Sequence, residues 1–307
     1  MQTQTSLMER IQNDFYDKIA QDSKQALIQM VSEAGHGKSS SLKTIVAYCK
    51  EKHPDIVFYV FDVSQTWYHN APTKWRQYVT LDKIENKQVA QVYDCVYEIG
   101  ELPDEIKRAF VGTIIGNEYQ KRYELKLKTT QGTEEEQRQA KEEWSKVPSL
   151  VIICEEANTY FGSYAMRRND PYTSIFQNFV SVGRNYKMRG FLVATAEEGE
   201  ISPSLRRRSR RIYGRLESQG DINRIRRKDK ELADYLTRIP KYNFVYYADK
   251  AYGPVRVPDV VNHVPEDYVV EPLVQQEPSQ FNASWWIKFG AGAGITLLAI
   301  DWLLNFK

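Results

Sequence analysis

Cysteine is scarce in this chain and poorly placed for pairing. Cys49, Cys95 and Cys154 are odd in number, lie far apart and form no CxxC. That argues against a disulfide framework or a structural zinc site, and for reduced thiols in the cytosol. The four histidines show no ligand spacing either. The N-terminus is polar and lacks the apolar stretch of a secretory signal. A large net charge is also missing, since the formal value is +2, and no internal repeat is visible. What remains is a chain of 307 residues with 42% apolar content, enough for one large α/β domain or two small ones around a substantial core.

Within it, the octapeptide Ser32-Glu33-Ala34-Gly35-His36-Gly37-Lys38-Ser39 carries the most information. It reads as a phosphate-binding loop whose first glycine has become serine. Such a loop uses glycines so that successive backbone N–H groups can curl around a polyphosphate, while its lysine reaches the β/γ-phosphates and its Ser hydroxyl binds Mg²⁺. The context agrees. Ala26 to Val31 is a short apolar run fit for a buried strand feeding the loop, and Leu42, Ile45, Val46 and Cys49 recur at helical spacing after it. The helix N-terminus then points at the phosphates. A plain glycine turn between strand and helix is the alternative. Ser32, Glu33, Ala34, Gly35, His36, Gly37, Lys38, Ser39 and Ser40 are therefore the candidate nucleotide-binding set, for ATP with Mg²⁺. Lys38 has a catalytic role and Ser39 binds metal.

Hydrolysis needs a carboxylate near the metal and another to orient or deprotonate water. Leu150 to Cys154 is a third apolar run, and it ends in Glu155-Glu156. Ligands bind at the carboxyl ends of strands in such sheets, so Glu155 is assigned to the metal, through its hydration shell, and Glu156 to the attacking water. An acidic pair at a solvated strand end is the plainer alternative. Further strands are expected at 56–61 (followed by Asp62), 190–195, 212–216 and 244–247, with helical periodicity over 83–127 and 172–186 and a polar, solvated stretch at 130–146. Continuous apolar strands alternating with helices predict a mostly parallel, helix-covered sheet.

The order of these motifs brings in a family. The P-loop is followed by Ile152-Ile153-Cys154-Glu155-Glu156-Ala157, then Gly183-Arg184-Asn185-Tyr186, Ala194-Thr195, Ser202-Pro203-Ser204-Leu205-Arg206 and Asp221. Across roughly residues 25–250 this plan resembles the HerA/FtsK superfamily of P-loop ATPases. The resemblance implies a RecA-like fold, hexameric rings and a neighbour's arginine completing each site. Arg184 is the trans-acting candidate, with Arg210 or Arg211 as alternatives. Three residues depart from the family plan: Ser32 for glycine, Glu155 for aspartate, and Ala196 where a polar sensor glutamine is expected, a role open to Asn158 or Thr195.

Segment 206–230 holds eleven Lys/Arg against Glu217, Asp221 and Asp229, a local excess of +8. Concentrated charge of that kind suits a phosphate backbone, and Arg206, Arg207, Arg208, Arg210 and Arg211 are the candidate nucleic-acid contacts. An anionic lipid surface or a merely solvated charge run would have the same composition. At the C-terminus, residues 285–306 read WWIKFGAGAGITLLAIDWLLNF, about 33 Å as a helix and so long enough to cross a bilayer. Trp285, Trp286 and Trp302 fall near the ends, and Gly290 and Gly294 form a GxxxG. A terminal helix docked on protein is the alternative.

The expected organisation is a polar lead-in at 1–24, a P-loop ATPase domain at 25–253, a Pro-rich tether at 254–284 and a membrane anchor at 285–306. The expected function is an ATP-driven translocase for nucleic acid, duplex DNA above all, with its ATPase domain on the cytoplasmic side of a host or virion membrane and virion or membrane proteins as further partners. Compact chains of this plan resemble the genome-packaging ATPases of membrane-containing icosahedral viruses. A filamentous-phage assembly ATPase like the zonula occludens toxin family, or a non-hydrolysing nucleotide-dependent scaffold, is the alternative.

Overall fold

The computed structural model describes residues 7–257, apart from 25, 68, 70, 72, 198–200, 208 and 249–250. Nine strands form one sheet: β1 (Ile28–Val31), β2 (Ile56–Asp62), β3 (Arg76–Tyr78), β4 (Cys95–Glu98), β5 (Ser149–Cys154), β6 (Met188–Ala194), β7 (Arg210–Tyr213), β8 (Asn243–Tyr247) and β9 (Ala251–Arg256). Their order is β3-β4-β2-β5-β6-β1-β7-β8-β9. All pairings from β3 to β7 are parallel, and β8 and β9 close one edge as antiparallel strands.

Helices cover both faces, which is why the central strands read as unbroken apolar runs rather than alternating ones. Every residue of β2 is buried. Its Val57, Tyr59 and Phe61 face a core shared with Phe110 and Ile114 of α4 (Asp104–Lys128) and Phe176 and Phe179 of α7 (Pro171–Val182). Its Ile56, Phe58 and Val60 face the opposite core, with Phe15 and Ile19 of α1 (Leu7–Ser23) and Leu42, Ile45, Val46 and Cys49 of α2 (Lys38–Lys52). A smaller third core lies under α9 (Gln219–Arg226) and α10 (Lys230–Leu236), where Ile222, Ile225, Leu232 and Leu236 meet Val31 and Tyr213. At about 25 cal/mol per Å² of apolar surface removed from water, each fully buried side chain of this size contributes ~1.5–3 kcal/mol before entropy is subtracted.

The structure redraws some boundaries. Residues 83–127 are not helical throughout: α3 (Leu81–Glu85) gives way to the fully buried strand β4, and only then does α4 begin. A four-residue apolar run cannot be told from a helix segment by periodicity alone. The lead-in is more than polar helix, because Phe15, Ile19 and Ala20 of α1 are core residues. β9 carries strand pairing through Pro254 to Arg256, past the expected start of the tether; an edge strand tolerates proline because one side of its backbone needs no ladder partner. The solvated stretch is α5 (Glu134–Lys146), which opens with a capping box between Thr133 and Glu136. Among the described residues no helix is long and apolar enough to cross a membrane. The expected span at 285–306, and the tether beyond 257, lie outside the described residues.

Candidate nucleotide site

Val31, Asp62, Glu98, Cys154, Ala194 and Tyr213 end their strands on one edge of the sheet. The loop after β1 rises from the middle of that edge. Gly35 and Gly37 both have left-handed backbone, φ 70° and 88°, a region that costs glycine nothing. A Cβ at Gly35 would meet nothing within 4 Å, so the crown of the loop is open, whereas one at Gly37 would fall 2.3 Å from the Tyr242 ring. Gly37 is also the N-cap of α2, where no side chain caps the first turn. Ser32 N and Glu33 N are tied to the Ala194 and Arg215 carbonyls at 3.3 and 2.8 Å, so the crown of the loop and the uncapped N-terminus of α2 are the places for an anion, with the helix dipole favouring negative charge. Lys38 Nζ folds back onto the carbonyls of Ser32 (2.7 Å) and Glu33 (2.9 Å). Glu33 pairs with Arg215 at 3.4 Å.

Beside the loop lies a carboxylate pair, Glu155 and Asp62. Glu155 is 3% exposed. It accepts hydrogen bonds from Ser64 Oγ at 2.8 Å and Trp67 Nε1 at 3.1 Å, and the Ser39 hydroxyl also bonds to it. Asp62, fully buried at the end of β2, stands against it and accepts from Trp67 N at 2.9 Å and Ser64 N at 3.1 Å. Burial first, then the Asp62 charge, pushes the Glu155 carboxyl up to about 7. Ser39, Glu155 and Asp62 offer only hard oxygens, two carboxylates and a hydroxyl side by side. The set fits Mg²⁺, which binds through one or two carboxylates, water and phosphate.

Glu156 has the opposite environment. It is exposed, and its backbone is left-handed at φ 49°, a conformation uncommon for non-glycine residues and frequent where a site imposes strain. The reversal of chain direction there places consecutive carboxylates in different surroundings, one inside against Ser39 and one outside in water.

The departures from the family plan have local explanations. Ser32 is fully buried, and its Oγ has no protein partner among the described residues. A Cβ at Gly214 of the adjoining strand end would fall 2.4 Å from that oxygen. The serine side chain therefore points sideways over β7, and the phosphate cradle stays clear. Ala196 is partly exposed, with Thr195 and Asn158 exposed nearby on the same edge. Arg184 lies elsewhere, exposed in the 3-10 turn Gly183–Tyr186 that precedes β6. The length of β6, roughly 20 Å at ~3.3 Å per residue, separates it from its own loop, so it can complete only the site of another copy.

The basic segment is the main correction. Its residues are distributed over α8 (Pro203–Arg206), β7, α9, the start of α10 and the loops between them. Several charges are matched by acids from distant sequence. Arg210 meets Asp22 at 3.9 Å, Arg215 meets Glu33, and Arg226 meets Asp234 at 2.8 Å. Arg211 and Arg224 converge on Glu197, which is fully buried and also accepts from Tyr213 Oη at 2.9 Å. Arg211 is therefore an internal ion-pair member rather than a free contact for nucleic acid or for a neighbour's phosphates. Arg206 is half-buried, Arg207 is exposed, and Arg208 lies outside the described residues.

Two site residues escaped the sequence reading. Asp62 had a signal, a single acid closing an apolar run, but nothing to relate it to Glu155 until β2 and β5 were paired. Tyr242 had none. Its ring covers Gly37 because His36 Nε2 donates to the Pro240 carbonyl (3.0 Å) and holds that turn on the loop.

No protein-family model and no curated protein matches this chain. Solved structures do. The DNA-packaging ATPase B204 from Sulfolobus turreted icosahedral virus is similar over 76% of this chain and 99% of its own, with 14% identity and a TM-score of 0.49. The genome-packaging NTPase B204 from Sulfolobus turreted icosahedral virus 2, in complex with AMPPCP, is similar over 75% of this chain and 98% of its own, with 14% identity and a TM-score of 0.48. The pCW3 conjugation coupling protein TcpA, with ATPγS, is similar over 78% of this chain and 62% of its own, with 12% identity and a TM-score of 0.45.

Proposed function

We propose that this chain is an ATP-hydrolysing nucleic-acid translocase of the HerA/FtsK type, working as a ring, hexameric by the family's habit, and tethered to a membrane through residues 285–306. The observation that carries the hydrolytic part is the meeting, on one sheet edge, of an open glycine loop with the Ser39–Glu155–Asp62 oxygen cluster and the solvent-facing Glu156. One strand, β6, separates the loop-bearing β1 from the acid-bearing β5, which leaves width for a phosphate chain between them.

The roles follow from position. Loop N–H groups and the N-terminus of α2 hold the phosphates, and Lys38 exchanges its carbonyl partners for phosphate oxygens. Ser39 and Glu155 would hold Mg²⁺, which would supply positive charge against the phosphates. Glu156, carrying its charge in water, orients or deprotonates the attacking water. Arg184 of a neighbouring copy stabilises the charge that spreads over the γ-phosphoryl oxygens.

The test is ATP turnover by the purified full chain with Mg²⁺, with and without DNA. Glu156→Gln should lower turnover by ~10²–10⁴-fold with nucleotide affinity unchanged. A parent that never turns over, or a Glu156→Gln protein as active as the parent, overturns the hydrolytic reading. Turnover without any DNA binding removes the translocase and favours an assembly ATPase.

A further inference from the structure

We infer that a groove beside α7 binds a nucleic-acid strand, with the phosphodiester backbone on Arg167 and Arg207 and a base stacked on Tyr164. The inference rests on the translocase reading and names the surface that would grip the cargo. The groove has a volume of about 570 Å³ and runs between the 163–167 turn, the outer side of α7 and the 202–207 segment. Among the described residues no acid lines it, and Ser163, Ser181, Ser202 and Ser204 share its wall with the two arginines. Arg167 and Arg207 are exposed, and neither makes an ion pair among the described residues. They thus differ from Arg210, Arg211, Arg215, Arg224 and Arg226, each of which is paired with an acid of the chain itself.

Next in the chain to the lining residue Ser163 is Tyr164, 80% exposed, the most exposed large hydrophobic side chain among the described residues. The Arg168 guanidinium lies 5.9 Å from its ring centroid, while its other contacts, to Glu105 at 3.7 Å and Asp170 at 3.8 Å, are long. An aromatic face kept in water beside cations and hydroxyl donors is the chemistry of single-strand binding, where bases stack on the ring and phosphates take the charge. Free phosphate would use the arginines but leave the tyrosine without a role.

The groove is also wired to the nucleotide site. The 163–167 turn follows β5 and α6 (Asn158–Phe161), immediately after Glu155 and Glu156, and the 202–207 segment follows β6. The two rims are joined by a backbone bond from Ser202 N to the Phe161 carbonyl at 2.9 Å.

The experiment measures binding of a fluorescein-labelled mixed-sequence oligonucleotide, single- and double-stranded, to the full chain, by anisotropy across about 50 to 200 mM salt. Variants are Arg167→Gln, Arg207→Gln, their combination, Tyr164→Ala, and Arg227→Gln as an exposed control outside the groove. Each groove arginine removed should reduce the salt slope by about one. Tyr164→Ala should weaken single-strand binding roughly tenfold with less effect on duplex, and Arg227→Gln should match the parent. Affinity for a fluorescent ATP analogue, unchanged in all variants, shows that they are folded.

If the parent binds no DNA, the translocase reading fails first, and the groove with it. If the parent binds and the double variant binds equally well with an unchanged salt slope, the groove proposal alone is overturned. A double variant that keeps DNA binding but loses oligomer mass in light scattering also overturns it, and marks the groove as a contact between copies. Displacement of the oligonucleotide by inorganic phosphate at matched ionic strength would reassign the site to free phosphate.

Discussion

Glu155 and Glu197 are the same residue type on the same sheet edge, just past the ends of neighbouring strands, and both are buried. Their surroundings are opposite. Glu197 is bracketed by Arg211 and Arg224 and accepts from Tyr213 Oη, while its own N–H donates to Asp221 at 2.7 Å. Glu155 has neutral donors in Ser39, Ser64 and Trp67, and a second carboxylate, Asp62, for its charged neighbour. A buried carboxylate is costly unless its charge is met. Glu197 is met by the protein itself and becomes a hub holding β6, β7 and α9 together. Glu155 is left short of positive charge at the one place where an incoming metal–nucleotide complex would supply it.

The sharpest way to break this contrast is to neutralise each acid in turn. Glu197→Gln should cost stability, toward the lower end of ~3–5 kcal/mol, since Arg224 keeps 31% of its side chain in solvent; urea unfolding measures it. Glu155→Gln should leave the apo protein at least as stable as the parent and weaken Mg²⁺ binding in the presence of nucleotide roughly 10–100-fold, read by calorimetric titration. Equal stability losses in the two variants would erase the distinction.

A steric version of the comparison is smaller. Gly214→Ala should lose ~1–3 kcal/mol through overpacking against Ser32 and the Phe244 ring, and Ser32→Gly in the same chain should restore the part due to Ser32, as thermal unfolding of the three variants would show. Failure of the rescue would mean that the serine at the head of the loop is not what requires a glycine at 214.

The subtlest test is pH. Glu155's folded pKa, about 7, lies above its ordinary 4.5, so the folded protein holds that proton more tightly than the unfolded chain does. The contribution to apo stability is full below about pH 4.5 and is lost as pH rises through about 7. Asp62→Asn removes the like charge and should flatten that decline. Mg²⁺ with nucleotide should flatten it too by meeting the carboxylate charge. A parent whose apo stability rises through this window relative to Asp62→Asn would contradict the assignment.

Much of the site was readable along the chain because its parts are local. Gly35, Gly37, Lys38 and Ser39 are contiguous, and the apolar periodicity of α2 follows at once. Glu155-Glu156 announces itself as an acidic pair closing an apolar run. What could not be read were pairings across distance. Asp62 joins Glu155 only because β2 and β5 are neighbours. Tyr242 covers Gly37 only because β8 turns back along β7. The basic segment misled for the same reason in reverse: its local excess of charge was real, but Asp22, Glu33, Glu197 and Asp234, which answer it, lie outside or beyond the run.

By itself the sequence determined the fold class, the glycine loop and the acidic strand end, because each depends on backbone permissiveness or burial that neighbouring residues dictate. Only the tertiary structure decided which charges are spent and which are left. Charge pairing depends on distance in space, and a folded sheet brings Glu197 to Arg211 and Arg224 while leaving Arg167 and Arg207 facing an open groove.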